Sequence, residues 1–137
     1  MSKEPISVLI VDDEPVLREL VAYILHDRGF IVSEADSGDA AFARICEEQF
    51  DVVLSDVRMP HGNGLDLLNK VRELEHPRPV VFLLSGYAEI SLAEAKRLGA
   101  EDLIFKPVDY DKLCVAINSV ARRLCTSKEI GCDQRLL

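Results

Sequence analysis

The 137-residue chain is long enough for one ordinary domain, because single hydrophobic cores typically occupy about 100 to 200 residues. Its 16 Lys and Arg residues against 24 Asp and Glu residues give a net charge of −8, which argues against direct binding to a nucleic-acid backbone. The apolar run at residues 6–11 is too short for a signal peptide or a membrane-spanning helix, so we expect a cytoplasmic protein with no membrane contact.

The first half of the chain alternates apolar runs with segments of helical periodicity. Residues 8–11 form a continuous apolar run, which predicts a central parallel strand covered on both faces. A helix follows, entered through Pro15 and ended at Gly29. Its apolar face is predicted to comprise Leu17, Leu20, Val21, Ile24 and Leu25. The weaker run at residues 30–32 predicts a strand nearer an edge, and Ser37 is the candidate N-cap of a second helix.

The second half repeats this alternation three times. Apolar runs at residues 52–54, 80–84 and 103–105 predict three further strands, which their continuity also favours as central ones. Each is followed by a segment of helical spacing. The helix after the fourth strand is predicted from about residue 88 to Gly99.

The apolar pattern of the last helix stops at about Cys125. We therefore assign residues 1–125 to one domain and residues 126–137 to a tail or a linker stub. Crossovers between parallel strands are right-handed and helices must cover both faces of the sheet. The five βα units thus predict an α/β fold with a doubly wound parallel sheet.

Polar residues follow four of the predicted strands. Asp12 and Asp13 follow the first strand, Asp56 the third, Ser85 the fourth and Lys106 the fifth. Open α/β sheets bind ligands beyond the carboxyl ends of their strands, so we expect these side chains to share one crevice. Three carboxylates placed together repel one another unless a cation compensates them, and hard oxygen ligands favour magnesium. The pattern predicts a Mg²⁺ site.

These residue types also suit phosphoryl chemistry. A metal-bound carboxylate can attack phosphorus and form an aspartyl phosphate, provided that charge on the transferred oxygens is neutralised. The Lys106 ammonium supplies a point charge and the Ser85 hydroxyl a hydrogen bond. We therefore predict a site that accepts a phosphoryl group.

Five short motifs, in this order at successive strand ends, resemble the response-regulator receiver family, whose members include chemotaxis regulators. They are Val11-Asp12-Asp13-Glu14-Pro15, Asp56-Val57-Arg58-Met59-Pro60, Gly62-Asn63-Gly64, Leu84-Ser85-Gly86 and Phe105-Lys106-Pro107. No single motif is specific, but the set covers nearly the whole chain. The resemblance implies a five-stranded flavodoxin-like (βα)5 fold with strand order 2-1-3-4-5.

The same resemblance implies roles for individual residues. Asp56 would take a phosphoryl group from a sensor histidine kinase or phosphotransfer protein in a Mg²⁺-dependent reaction. Asp13, Asp56 and the backbone carbonyl of Arg58 would ligate the magnesium directly, and Asp12 would act through water. Lys106 would contact the phosphoryl group. The chain would then be a two-component signalling switch and not an enzyme.

Further features of the family concern the last two strands. The Ser85 hydroxyl would move to meet the phosphoryl group, and the bond from Lys106 to Pro107 would be cis. Receivers commonly carry an aromatic residue three positions before the lysine, where this chain has Leu103; its aromatic residue is instead Phe105.

The implied partners are the phosphodonor and a downstream protein or effector domain, with phosphorylation-driven dimerisation left open. The main alternative is a receiver-like adaptor that binds partners with little phosphorylation. A magnesium-dependent phosphohydrolase of the haloacid dehalogenase type is disfavoured, because that family typically has a second Asp where this chain has Arg58. A flavodoxin-like flavin carrier is disfavoured because Asp13 and Glu14 would repel the flavin phosphate.

Overall fold

Five strands alternate with five helices in the computed structural model, which describes residues 5–75, 77–86 and 90–136, the side chains of residues 124–136 excepted. The strands are β1 (Ser7–Val11), β2 (Ile31–Ala35), β3 (Val52–Asp56), β4 (Val80–Ser85) and β5 (Asp102–Phe105). The helices are α1 (Pro15–Asp27), α2 (Gly38–Glu47), α3 (Gly64–Arg72), α4 (Leu92–Arg97) and α5 (Tyr110–Leu136). In the described part of the chain, no helix is both long enough and apolar enough to span a membrane.

The strands form one parallel sheet in the order β2-β1-β3-β4-β5. The register aligns the carboxyl ends of the strands: Val11 pairs with both Ala35 and Ser55, and Ser85 pairs with Phe105. The predicted α/β fold, the doubly wound sheet and the strand order are confirmed. Residues that follow the strands therefore lie along one edge of the sheet.

Two hydrophobic clusters cover the two faces of the sheet. Alternate strand residues divide between them, because successive side chains of a strand point to opposite faces. Val8, Ile10 and Leu54 belong to the cluster beneath α1 and α5, whereas Leu9 and Val53 belong to the cluster beneath α2, α3 and α4. Full burial of each such side chain contributes about 1.5 to 3 kcal/mol. The central strands are thus rigid supports for whatever follows their ends.

The predicted apolar face of α1 is partly wrong. Val21 and Leu25 are buried against the sheet, but Leu17 and Leu20 are 39% and 48% exposed. The apolar residues of α1 span a wider arc than the sheet covers, so periodicity alone could not separate the packed stripe from an apolar surface.

The prediction that β5 is central is also wrong, because it forms one edge of the sheet beside β4. Leu103 is buried, whereas Phe105 at the end of the strand is 53% exposed. Continuity of apolar residues alone therefore does not distinguish this edge strand from a central one.

Helix boundaries follow local capping. The Ser37 hydroxyl accepts the Ala40 N–H at 3.0 Å, so the predicted N-cap of α2 is confirmed. The helix predicted from about residue 88 begins instead at Leu92, because the Ser91 hydroxyl caps it; Ala88 itself lies outside the described residues. Helix α5 continues to Leu136, so the segment predicted as a tail or linker is helical in backbone. The division at residue 125 stays a prediction.

Candidate functional site

The turn between β1 and α1 carries the first two acidic residues. The Asp12 amide donates to the Ala35 carbonyl at 3.2 Å, and an Asp12 carboxylate oxygen accepts the Glu14 N–H at 2.9 Å. Asp12 is buried and Asp13 is exposed. The N-cap of α1 is Glu14, whose side chain makes no capping hydrogen bond. The Asp13 carboxylate is therefore not the helix cap and can serve as a ligand.

Asp56 completes an acidic cluster at the end of β3. Its side chain is buried, and carboxylate oxygens of Asp12, Asp13 and Asp56 lie within 4.8 Å of one another. Three hard, negatively charged oxygen ligands this close together fit a divalent cation such as Mg²⁺.

Lys106 places a positive charge in contact with Asp56. Its Nζ lies 2.7 Å from Asp56 Oδ1 as an ion pair. Burial raises the pKa of Asp56 to about 7; pairing with Lys106 opposes this shift and the neighbouring Asp12 carboxylate adds to it. Burial by itself would lower the pKa of Lys106, but the attraction of Asp56, together with that of Asp12 and Glu14, outweighs it and the pKa is raised, so the ammonium stays charged.

The ends of β4 and β5 bring Ser85 to the same rim. Ser85 is buried, and its carbonyl accepts the Lys106 N–H at 2.8 Å, which ties the two strand ends together. The bond from Lys106 to Pro107 is cis, as the family resemblance implies. Arg58 is exposed in the loop after β3, and a cation-ligating role for its carbonyl remains a prediction.

Gly64 lets the loop that follows Asp56 return close to the strand. Its amide donates to the Val57 carbonyl at 2.9 Å. A Cβ at this position would lie 2.3 Å from the Asp56 carbonyl oxygen, which is backbone and cannot swing away. Nothing in the sequence shows that the loop at Gly64 lies this close to the backbone of Asp56.

We expect Gly64→Ala to lower the free energy of unfolding by about 1–3 kcal/mol, because the added methyl group must displace the backbone around Asp56. Gly86→Ala is the matched control, since the nearest atom to its added Cβ is the Lys106 Cδ at 4.0 Å. Urea unfolding of both variants gives the comparison. Equal stability of the two would contradict the close approach.

Comparison with known proteins gives a consistent result. The family model for the response regulator receiver domain matches residues 8–118. The chain is 33% identical to the probable transcriptional regulatory protein TcrX of Mycobacterium tuberculosis, covering 88% of this chain and 51% of that protein. It is 32% identical to the transcriptional regulatory protein FixJ of Bradyrhizobium diazoefficiens, covering 85% and 57%. The chain thus spans about half the length of these relatives.

Solved structures of receiver domains are also similar to this chain. A response regulator receiver domain protein from Clostridium thermocellum has a TM-score of 0.82 at 27% identity, covering 88% of this chain and 98% of that one. The receiver domain of the Francisella response regulator 1452 has a TM-score of 0.80 at 25% identity, with coverages of 88% and 99%.

Proposed function

Since this chain belongs to the family of response regulator receiver domains, we propose that it is a phosphorylation switch whose phosphoryl acceptor is Asp56. The proposal rests on the environment of the Asp56 side chain. Asp56 is buried between two further carboxylates and an ammonium 2.7 Å away, at the end of a rigid central strand. Such a residue is oriented and partly desolvated before any phosphodonor arrives.

In the proposed reaction a carboxylate oxygen of Asp56 attacks the phosphorus of the donor. An O–P bond forms, and the bond from phosphorus to the donor atom breaks, a nitrogen in a phosphohistidine. The leaving group takes up a proton, and the product is an aspartyl phosphate. Asp12, Asp13 and Asp56 would hold Mg²⁺, with the Arg58 carbonyl as a further ligand; the bound ion would supply charge neutralisation at the phosphoryl oxygens.

The chain's own residues have separate tasks. Lys106 holds Asp56 through its ion pair and then neutralises charge on the transferred group. The backbone of Ser85 is tied to the neighbouring strand end through its carbonyl, and its hydroxyl would supply a hydrogen bond to that group. Movement of Ser85 would change the surface around β4 and β5. Because Leu103 is buried and Phe105 already exposed, we propose that this change proceeds without inward rotation of an aromatic side chain at residue 103.

Two observations suggest partners for this chain: the exposed apolar residues of α1 and the similarity to transcriptional regulators. Helix α1 starts beside Asp13 and exposes Val16, Leu20 and Tyr23 at 79%, 48% and 70%. Apolar side chains beside an acidic rim suit a protein phosphodonor, and we propose a sensor histidine kinase or phosphotransfer protein in the cytoplasm. The chain spans about half of the transcriptional regulators it resembles, so we propose a downstream protein or effector domain as its output.

The proposal is tested by incubating the purified chain with acetyl phosphate in magnesium chloride or in EDTA, and by measuring intact mass. We expect a single phosphoryl adduct that forms in magnesium and fails to form in EDTA. A chain that is folded by circular dichroism yet unmodified in magnesium would instead support the binding-only adaptor.

A further inference from the structure

Arg18, in the second turn of α1, reaches back to the acidic turn. Its side chain is 16% exposed. The Nη1 group donates to the Asp12 carbonyl at 2.9 Å, and Nε donates to a Glu34 carboxylate oxygen, also at 2.9 Å. One planar guanidinium therefore joins the helix, the edge strand β2 and the turn that carries Asp12 and Asp13.

From this geometry we propose that Arg18 is a positioning residue that holds the turn of Asp12 and Asp13 in its cation-binding arrangement. The inference rests on the proposed function only in taking that turn as part of the Mg²⁺ site. Arg18 itself contributes no ligand oxygen, and it acts on the cation through the backbone of Asp12.

The other bonds of this turn hold the Asp12 amide and carboxylate, whereas Arg18 holds the Asp12 carbonyl. The Asp12 amide bonds to Ala35 at 3.2 Å, and the Asp12 carboxylate is engaged by the Glu14 N–H. Helix α1 has no side-chain N-cap to fix the turn from the helix side. The bond from Arg18 adds a restraint from the first turns of α1, which are anchored farther along by buried Val21.

Glu34 makes this placement compatible with a cation. A guanidinium beside a metal site would repel the metal if its charge were uncompensated. The ion pair with Glu34 offsets that charge and also sets the plane of the guanidinium. Glu34 lies in β2, where it pairs with Ile10 of β1. The guanidinium of Arg18 is therefore bound to a residue of the sheet itself.

Arg18→Lys is the decisive variant, because lysine keeps the charge and loses the two-pronged planar fork. We expect the dissociation constant for magnesium chloride, measured by isothermal titration calorimetry, to rise about tenfold, the lower end of what loss of an outer partner of a metal site causes. The melting temperature of each metal-free variant is measured in parallel, because a merely structural role would change stability and leave magnesium affinity unaltered.

Arg44→Lys is the matched control. Arg44 also donates to Glu34, through the backbone carbonyl at 3.2 Å, and it pairs with Glu48, but it has no described bond to Asp12. Its magnesium affinity should equal that of the parent chain. The proposal is overturned if folded Arg18→Lys binds magnesium within about twofold of the parent chain, or if Arg44→Lys is weakened equally.

A second variant covers a failure of Arg18→Lys to fold. Glu34→Gln leaves Arg18 in place but removes the charge that compensates it. It should weaken magnesium binding by more than about twofold, and an unchanged affinity overturns the proposal. Phosphorylation of the parent chain is measured separately. If the parent chain is phosphorylated but the variants keep their magnesium affinity, only the proposal for Arg18 is contradicted. If the parent chain does not bind magnesium, both proposals are contradicted.

Discussion

Asp56→Asn is expected to abolish phosphorylation by acetyl phosphate and, at the same time, to stabilise the metal-free protein at about pH 8. The first effect follows because an amide is a poor nucleophile toward phosphorus and forms no acyl phosphate. The second follows because the folded protein holds the Asp56 carboxylate in a buried place beside Asp12. Asp56 would thus be required for activity and would lower stability, which is the pattern expected of a functional carboxylate.

The pH dependence has a definite sign. Burial, reinforced by Asp12, raises the pKa of Asp56 from 3.8 to about 7 in the folded protein. Between these values the folded state binds more protons than the unfolded state, so stability falls as the pH rises through this window. A shift of about three pKa units corresponds to at most about 4 kcal/mol in the free energy of unfolding, and this contribution is fully lost above about pH 7. Asparagine cannot ionise, so the variant lacks this loss.

Urea unfolding in EDTA at about pH 5 and about pH 8 measures the effect. The parent chain should be less stable than Asp56→Asn at both values, and the difference should be clearly larger at the higher pH, because only part of the window between the two pKa values has been crossed at about pH 5. Asp36→Asn is the control, because Asp36 is exposed and its replacement should have little effect at either pH. A parent chain as stable as Asp56→Asn at about pH 8 would contradict the raised pKa.

Lys106→Met is expected to lower the free energy of unfolding of the metal-free protein by about 3 kcal/mol at about pH 8. Methionine keeps most of the apolar stem and removes the ammonium 2.7 Å from Asp56. The ionised carboxylate then lacks its cationic neighbour and must stay buried with a charge or take up a proton at a cost. At about pH 5 Asp56 is protonated in either protein, so the loss should largely disappear.

A double-mutant cycle separates this pairing from other effects of the substitution. Lys106→Met made in the Asp56→Asn background should cost little, because no buried carboxylate remains to be neutralised. Lys112→Met, at an exposed lysine of α5, is the matched control. An equal loss of stability at both pH values, or in both backgrounds, would show that Lys106 stabilises through its stem and not through Asp56.

The architecture and the rim of polar residues could be predicted because they depend on strong local signals. Continuous apolar runs marked the strands, and parallel pairing places everything that follows a strand at one edge. Asp56 and Lys106 are far apart in sequence, yet this rule alone was enough to place them together, and the structure has them in contact.

The remaining features depend on tertiary packing. Leu17 and Leu20 have the spacing of buried helix residues, yet the fold leaves both of them exposed. Arg18 looks like an ordinary polar residue of a helix surface, and its bond to the Asp12 carbonyl depends on the exact distance between α1 and β1. Gly64 likewise requires knowledge of how closely its loop approaches Asp56.

Chemical reduction of the phosphorylated protein identifies the residue that carries the phosphoryl group. Borohydride cleaves an acyl phosphate and converts the modified aspartate to homoserine, which peptide mass spectrometry locates after treatment with acetyl phosphate and magnesium. We predict homoserine in place of Asp56 and nowhere else in the chain. Homoserine in place of Asp12 or Asp13, with Asp56 intact, would show that Asp56 is not the phosphoryl acceptor.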